Sequence, residues 1–123
     1  MRRLAIRFGP LARPLAGSRW FPLWATLSHV GRRSGRAYET PVVARPAPDG
    51  FLIPLPFGPS TQWAQNLLAA GRGELRHAGR TFAIDRPEII ERETADAFLP
   101  WVIRVASRRF RIRHYVRVWI SLP

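Results

Sequence analysis

Two apolar runs joined by a basic turn, with a glycine at each end of the turn, set the strongest limit on how this chain folds. The turn reads Gly-Arg-Arg-Ser-Gly-Arg over residues 31–36. Two strands joined in this way form a hairpin, and glycine allows backbone angles that other residues avoid. The backbone amides of such a turn can point together at an anion, and the arginines of the turn would surround that anion. The pattern predicts a hairpin with a phosphate-binding turn, and a merely solvated turn is the alternative interpretation.

Length and composition predict one folded domain. The chain has 123 residues, 46% of them hydrophobic, and no cysteine. This length allows a single core, and the missing thiols exclude disulfides, thiolate catalysis and cysteine zinc sites. All 20 basic residues are arginine and the formal net charge is +12. Such a surface attracts anions, whether a phosphorylated cofactor, anionic lipid or nucleic acid.

The N-terminal residues 1–19 mix arginines with apolar side chains, prolines and glycines. We expect a basic extension there, and an amphipathic arm on acidic lipid is the alternative. No sustained apolar run marks a cleavable signal, which favours a cytoplasmic protein. The alternative, an arm on lipid, would add peripheral contact to the inner membrane face. Residues 50–71 carry no charge, but their prolines and amides argue against a membrane span.

Hydrophobic patterning over residues 20–123 predicts a mainly β (α+β) domain. Ser60 or Thr61 is expected to cap, and Gly71 to end, a helix that packs Trp63 against the sheet. The first three strands are expected to form an antiparallel meander. The predicted strands comprise residues 21–30, 38–45, 51–55, 74–77, 80–85 and 114–122.

A second helical part is predicted before the last strand. Thr94 is expected to cap a segment ending at Leu99, and Pro100 to open a further helix. Trp101 and Val105 are four residues apart, so we expect both to pack inward, with Ile103 as a further candidate, while the arginines of that helix face water. Antiparallel strands around one helix suit a small barrel or a generic α+β sheet.

The turn and the central helix resemble one protein family. Residues 31–35, followed by Thr40-Pro41, are similar to the signature of deazaflavin (coenzyme F420)-dependent nitroreductases, which are split β-barrel oxidoreductases of the flavin-reductase type. Residues 63–69 resemble the Trp-Xaa-Xaa-Asn-Leu-Xaa-Ala helix of that group. The resemblance implies an FMN-binding-like split β-barrel with an embedded helix and a C-terminal helical segment, which binds the deazaflavin as a single domain over residues 20–123.

The resemblance also implies a cofactor site. Coenzyme F420, with FMN as the less expected cofactor, would place its phosphate at the turn and its ring beside the segment before the helix. Many family members have an arginine where this chain has Tyr38, so either Arg36 takes over that contact or the anionic tail is held more weakly. The cofactor-binding residues implied are Arg32, Arg33, Ser34, Arg36, Thr40, Pro41, Leu55, Pro56, Phe57, Gly58, Thr61 and Trp63.

The implied activity is hydride transfer from reduced F420 to a quinone or nitro compound. The cofactor carries the hydride, so the protein holds ring and acceptor together, and Tyr38 or Ser60 is the expected proton donor. An aromatic wall is expected beside the acceptor. Its members are Phe57, Phe98, Trp101, Phe110 and Tyr115.

Other functions remain open at this level. A non-catalytic carrier of a flavin, tetrapyrrole or fatty acyl ligand is the alternative to the enzyme. Nucleic acid is not expected as a partner, because no recognition motif accompanies the arginines. His29, His77 and His114 are far apart in sequence, so no metal site is predicted. The protein is expected to be a monomer or a homodimer.

Overall fold

A computed structural model describes residues 24–122, which form one seven-stranded antiparallel sheet with three helices. The predicted extension at residues 1–19, and the part of the first predicted strand before Trp24, lie outside the described residues. The strands are β1 (Trp24–Val30), β2 (Ala37–Val43), β3 (Arg45–Ala47), β4 (Gly50–Pro54), β5 (Arg72–His77), β6 (Arg80–Glu91) and β7 (His114–Ile120). The helices are α1 (Gln62–Ala70), α2 (Arg92–Ala95) and α3 (Trp101–Arg109), with a 3₁₀ turn at Asp96–Phe98.

The strand order shows that the sheet curls into a half-barrel. The order is β2-β1-β5-β6-β7-β4-β3, so β2 and β3 are its edges. Only Ala44 separates these two strands along the chain, so the edges must lie close together. The predicted meander of the first three strands is therefore wrong in one pairing: β4 does not pair with β2. The chain crosses between edges at Ala44, and β4 pairs with β7 from Gly50↔Trp119 to Pro54↔Tyr115.

The hairpins predicted around short turns are present, and one of them joins β3 to β4, which pair from Arg45↔Leu52 to Ala47↔Gly50. Strands β1 and β2 pair from Trp24↔Val43 to Val30↔Ala37, and β2 is an edge strand, where its proline leaves no ladder bond unmade. Strands β5 and β6 pair as another hairpin. Strand β6 extends beyond the predicted end at residue 85, through a bulge between Asp85 and Glu88.

Helix α1 has the predicted bounds. Gly71 ends it with a φ of 76°, and its N–H donates to the Leu67 carbonyl at 2.8 Å. Thr61 is the N-cap, but its hydroxyl donates to the Gly58 carbonyl at 2.7 Å and caps no helical amide. The helix buries Asn66 together with Leu67, whereas Ala70, at its C-terminal end, is exposed.

Aliphatic side chains from the sheet and α1 fill the half-barrel. Each fully buried leucine, isoleucine or valine contributes roughly 1.5–3 kcal/mol to stability. The largest fully buried members of this core are Leu27, Ile53, Leu55, Leu67, Leu75, Ile84, Val116 and Val118. A second, smaller cluster packs the helical part against the sheet and comprises Leu52, Ala95, Leu99 and Tyr115.

The second helical part differs from its prediction. Helix α2 starts at Arg92 with Glu91 as N-cap, so Thr94 lies inside the helix and caps nothing. Helix α3 does follow Pro100, but Trp101 and Val105 are 69% and 56% exposed, so the prediction that they pack inward is wrong. In residues 24–122, no helix combines the length and apolar character needed to cross a bilayer.

The buried position on α3 belongs to a polar residue instead. Ser107 is buried because its Oγ accepts a hydrogen bond from the Tyr115 hydroxyl at 2.9 Å and donates to the Ile112 carbonyl at 3.3 Å. Satisfying these groups inside the protein removes the usual cost of burying a hydroxyl. The helix is thereby turned with Ile103 towards the second cluster.

Candidate functional site

A cleft of about 560 Å³ lies between the β1–β2 turn and the start of α1. This volume is within the range of small-molecule sites. Arginine, aromatic and amide side chains meet in it. The lining residues are His29, Gly31, Arg32, Arg33, Ser34, Tyr38, Thr40, Thr61, Gln62, Trp63 and Asn66.

His29 reaches the cleft because of strand alternation. Side chains of a strand alternate between its two faces, and Ala25, Leu27 and His29 share the face that packs on the core. His29 is the last of them before the turn, and it is buried. Its cross-strand neighbour is Tyr38, whose ring stacks on the imidazole with centroids 5.6 Å apart.

A chain of hydrogen bonds links the turn, α1, β1 and β2. The Arg32 amide and its Nη1 donate to Asn66 Oδ1 at 3.2 and 2.7 Å. The Asn66 Nδ2 and the His29 Nδ1 are 3.3 Å apart, and the His29 Nε2 is 2.9 Å from the Thr40 Oγ1. Arg32 Nη2 also donates to Gln62 Oε1 at 3.0 Å. These contacts hold the turn against the first two turns of α1.

This chain fixes the protonation of His29. Arginine only donates hydrogen bonds, so the oxygen of the Asn66 amide faces Arg32 and its NH₂ faces His29. His29 Nδ1 is therefore the acceptor, and the proton on Nε2 donates to Thr40 Oγ1. Burial agrees with this neutral form, because it lowers the pKa of His29 from 6.5 to about 4.

The two glycines of the turn serve different purposes. Gly35 has a φ of 73°, as predicted for a tight turn, and its N–H donates to the Gly31 carbonyl at 2.9 Å. Gly31 has no left-handed angle. It is needed for close packing, because a Cβ there would lie 2.7 Å from Ser34 Oγ and 2.9 Å from Tyr38 Cε2.

Most backbone amides of the turn donate hydrogen bonds within the protein, so fewer amides than predicted can bind an anion. The amides of Arg33 and Ser34 have no hydrogen-bond acceptor within residues 24–122 and can still bind an anion. The engaged amides are those of Gly31, Arg32, Gly35 and Arg36, which donate to Arg36 O, Asn66 Oδ1, Gly31 O and Ser34 Oγ, respectively.

Arg33 lines the cleft, and its guanidinium has no hydrogen-bond or ion-pair partner among the described residues. Its side chain is exposed. Arg32, in contrast, directs two of its N–H groups at Gln62 and Asn66. Within residues 24–122, nothing occupies the five N–H donors of Arg33, which leaves them to a ligand.

Comparisons with solved structures give the fold. HutZ, the heme storage protein from Vibrio cholerae, matches with a TM-score of 0.55 over 96% of this chain and 93% of its own, at 14% identity. Atu2129, a protein of unknown function from Agrobacterium tumefaciens, matches with a TM-score of 0.55 and 15% identity, over 95% of this chain and 57% of its own. The fold is a split β-barrel. At these identities the likeness shows the fold alone.

No protein-family model and no curated protein sequence matches the chain. The split-barrel prediction is confirmed, but membership of the deazaflavin-dependent nitroreductases is not supported. The prediction of a nitroreductase or quinone reductase is wrong on this comparison, because HutZ, a similar structure with a stated function, is described as a heme storage protein. A shared fold does not by itself imply a shared activity.

A small apolar crevice of about 230 Å³ adjoins the cleft. Thr61 and Trp63 line both, so these two side chains form the boundary between them. Phe57 lines the crevice while remaining 87% exposed. The other lining residues are Trp24, Pro41, Val42, Val43, Pro54, Leu55 and Pro56.

The structure divides the predicted site residues among three places. Arg36, Gly58 and Ser60 line neither the cleft nor the crevice, so Ser60 lies outside the cleft that Tyr38 lines. Those lining the cleft are Arg32, Arg33, Ser34, Tyr38, Thr40, Thr61 and Trp63. Those lining the crevice alone are Pro41, Leu55, Pro56 and Phe57.

The predicted aromatic wall does not form beside the cleft. Tyr115 is buried in the second cluster, Phe98 packs against that cluster, and Trp101 and Phe110 are exposed outside both cavities. Within residues 24–122, no three histidine, aspartate or glutamate side chains gather as a metal site would require.

Sequence patterns missed the polar centre of the cleft. His29, Gln62 and Asn66 line it, and none was among the predicted binding residues. Two signals were available. His29 is two residues after Leu27 on β1, so both point to the same face of the sheet. Asn66 is four residues after Gln62 on α1, which places both amides on one side of the helix.

Proposed function

We propose that this split-barrel protein binds a ligand without catalysis, and that the ligand is of the flavin class, with a planar ring system and a phosphorylated side chain. One observation carries the proposal: the Arg33 side chain and the aromatic side chains of Trp63 and Tyr38 line the same cleft. A guanidinium without a protein partner pairs with phosphate, and aromatic rings offer a planar ring a stacking surface.

The anionic end of the ligand binds the turn. The donors available there are the amides of Arg33 and Ser34, the Arg33 guanidinium and the Ser34 hydroxyl, whose oxygen already accepts from the Arg36 amide. Hydrogen bonds to a charged group contribute about 1.5–3 kcal/mol each. Two or three of them supply a large part of the roughly 8 kcal/mol behind micromolar binding.

The ring system of the ligand lies along Trp63. The indole borders both the cleft and the crevice, so a ring beside it has polar groups on one side and the apolar surface of Val42, Leu55 and Phe57 on the other. FMN and coenzyme F420 share this combination of ring and phosphate. Both belong to the proposal, as bound ligands and not as hydride carriers.

A tetrapyrrole is the second candidate, because HutZ, which has this fold, is described as a heme storage protein. The cleft argues against heme held by His29. Both ring nitrogens of His29 are engaged, with Asn66 and Thr40, so coordination of iron breaks one of these bonds in a buried place.

A titration with FMN, coenzyme F420 and hemin, side by side at one ionic strength, tests the proposal. We expect saturable one-to-one binding of FMN or F420, seen as quenching of ligand fluorescence. Hemin that binds tightly with the Soret band of a histidine-ligated iron, while neither flavin binds, overturns it. Reduced F420 with menadione tests the absence of catalysis: its oxidation is expected to be no faster with the protein than without it.

A further inference from the structure

Helix α3 turns an apolar face to solvent. Trp101, Val102 and Val105 are 69%, 54% and 56% exposed, and Phe110, the residue after the helix, is 70% exposed. At 3.6 residues per turn, the first three fall on one side of the nine-residue helix. Contiguous exposed apolar side chains of this size are uncommon on a soluble domain and mark an interaction surface.

Arginines surround this face. Arg108 pairs with Asp96 at 3.1 Å, and Arg104 donates to the Leu99 carbonyl. Arg109 and Arg111 are exposed and have no acidic partner among the described residues. We call the surface formed by these groups the α3 patch, and it comprises Trp101, Val102, Val105, Arg109, Phe110 and Arg111.

We propose that the α3 patch docks on the surface of an anionic lipid bilayer. A bilayer surface provides both an apolar layer and phosphates at the depth that the patch requires. Trp101 and Phe110 are suited to the headgroup region, where an aromatic ring buries its apolar part beside polar groups. Arg109 and Arg111 pair with lipid phosphates, and the net charge of +12 favours approach to an anionic membrane.

Charge argues against a second copy of this chain as the occupant. A twofold contact would place the patch against itself and bring unpaired arginines of one copy towards those of the other. Nucleic acid supplies phosphates but gives the two valines nothing to bury against. The patch is also independent of the ligand site, because none of its residues lines the cleft or the crevice.

Co-sedimentation of the full-length protein with vesicles tests the proposal. Vesicles of phosphatidylcholine alone are compared with vesicles that contain 30% phosphatidylglycerol. We expect binding to the anionic vesicles, little binding to the neutral ones, and weakening by salt because surface charges are screened. Equal binding to both compositions, or binding to neither, overturns the proposal.

Paired variants locate the contact. Arg109→Gln with Arg111→Gln is expected to lower vesicle partitioning on the order of thirtyfold, since each arginine near the surface contributes about fivefold. Arg45→Gln with Arg76→Gln removes the same charge from exposed strand positions elsewhere, and is expected to lower it much less. Trp101→Ser with Phe110→Ser is expected to abolish sedimentation, whereas Leu122→Ser, at another exposed apolar residue, retains it.

Circular dichroism confirms that each variant is folded before it is compared. Partitioning that the two α3 variants leave unchanged assigns lipid binding to another part of the chain and overturns the proposal. A wild-type dimer in sedimentation velocity that Trp101→Ser with Phe110→Ser converts to a monomer, without vesicle binding, assigns the patch to a second copy. Salt-sensitive binding of single-stranded RNA without vesicle binding overturns it as well.

Discussion

Arg32 and Asn66 join the β1–β2 turn to helix α1 through one oxygen: the Arg32 amide and guanidinium both donate to Asn66 Oδ1. The two residues are 34 positions apart in the chain. Because the oxygen of the amide is held by Arg32, its NH₂ is directed at His29. One side chain thus determines the geometry of the turn and the protonation of the buried histidine.

Asn66→Asp is expected to raise the pKa of His29 from about 4 to above 6.5. The new carboxylate keeps an acceptor for Arg32 but has no donor for His29 Nδ1, so the imidazole gains a proton and a charge partner. Titration of the imidazole protons by NMR measures this change. Gln65→Glu adds the same charge one residue earlier, where the side chain is bonded to the Pro59 carbonyl, and is expected to leave the His29 titration as in wild type.

The free energy of unfolding is expected to decrease as the pH is lowered, because of His29. The pKa of His29 is 6.5 in the unfolded chain and about 4 in the folded one, so below pH 6.5 the unfolded state binds a proton that the folded state does not. The contribution is fully present above pH 6.5, declines as the pH falls towards 4, and is constant below that. Its size is at most about 3 kcal/mol.

Urea unfolding of wild type and His29→Gln at about pH 7.5, 5.5 and 4 measures this contribution. The variant lacks the titrating group and is expected to lose less stability over the same range, although it starts from a lower free energy of unfolding. Parallel pH profiles for the two proteins would contradict the buried, neutral state of His29.

Gly50→Ala is expected to destabilise the barrel by about 3 kcal/mol or more, because added atoms in a packed core force backbone shifts. A Cβ at Gly50 would lie 1.9 Å from the Val118 carbonyl oxygen, where β4 passes β7. Gly31→Ala is the matched comparison, since its Cβ would meet side chains that can move, those of Ser34 and Tyr38. We expect its cost to be about 1 kcal/mol in the same urea experiment.

Local features of the fold were predictable from sequence. The β1–β2 hairpin follows from two apolar runs around one short turn, and the end of α1 follows from Gly71, which adopts the left-handed angle that ends helices. In both cases the deciding interactions join residues close in sequence.

Long-range features were not predictable in this way. Strand β4 was assigned to its sequence neighbour β2, but the crossing at Ala44 pairs it with β7, more than sixty residues later. The hydrophobic periodicity predicted that Trp101 is buried. It does not show that Ser107 is buried instead, because the Tyr115 hydroxyl donates a hydrogen bond to Ser107 Oγ. The cleft was half predicted: the arginine turn and Trp63 were found. The local patterns of β1 and α1 place His29 and Asn66 on the right faces, but the contact between them joins residues 37 positions apart, which no local pattern predicts.

The central claim is that the cleft binds the phosphate of a flavin-class ligand through Arg33. The most direct measurement is the Kd of FMN and of F420 for wild type, Arg33→Ala and Arg36→Ala at one salt concentration. The two variants lose the same charge from the same turn, but of the two arginines that are replaced, Arg33 lines the cleft and Arg36 does not. We predict that Arg33→Ala weakens binding at least about tenfold, as the loss of one charged hydrogen bond requires, while Arg36→Ala stays within about twofold of wild type. Equal affinities for all three proteins, or equal losses in the two variants, would contradict the claim.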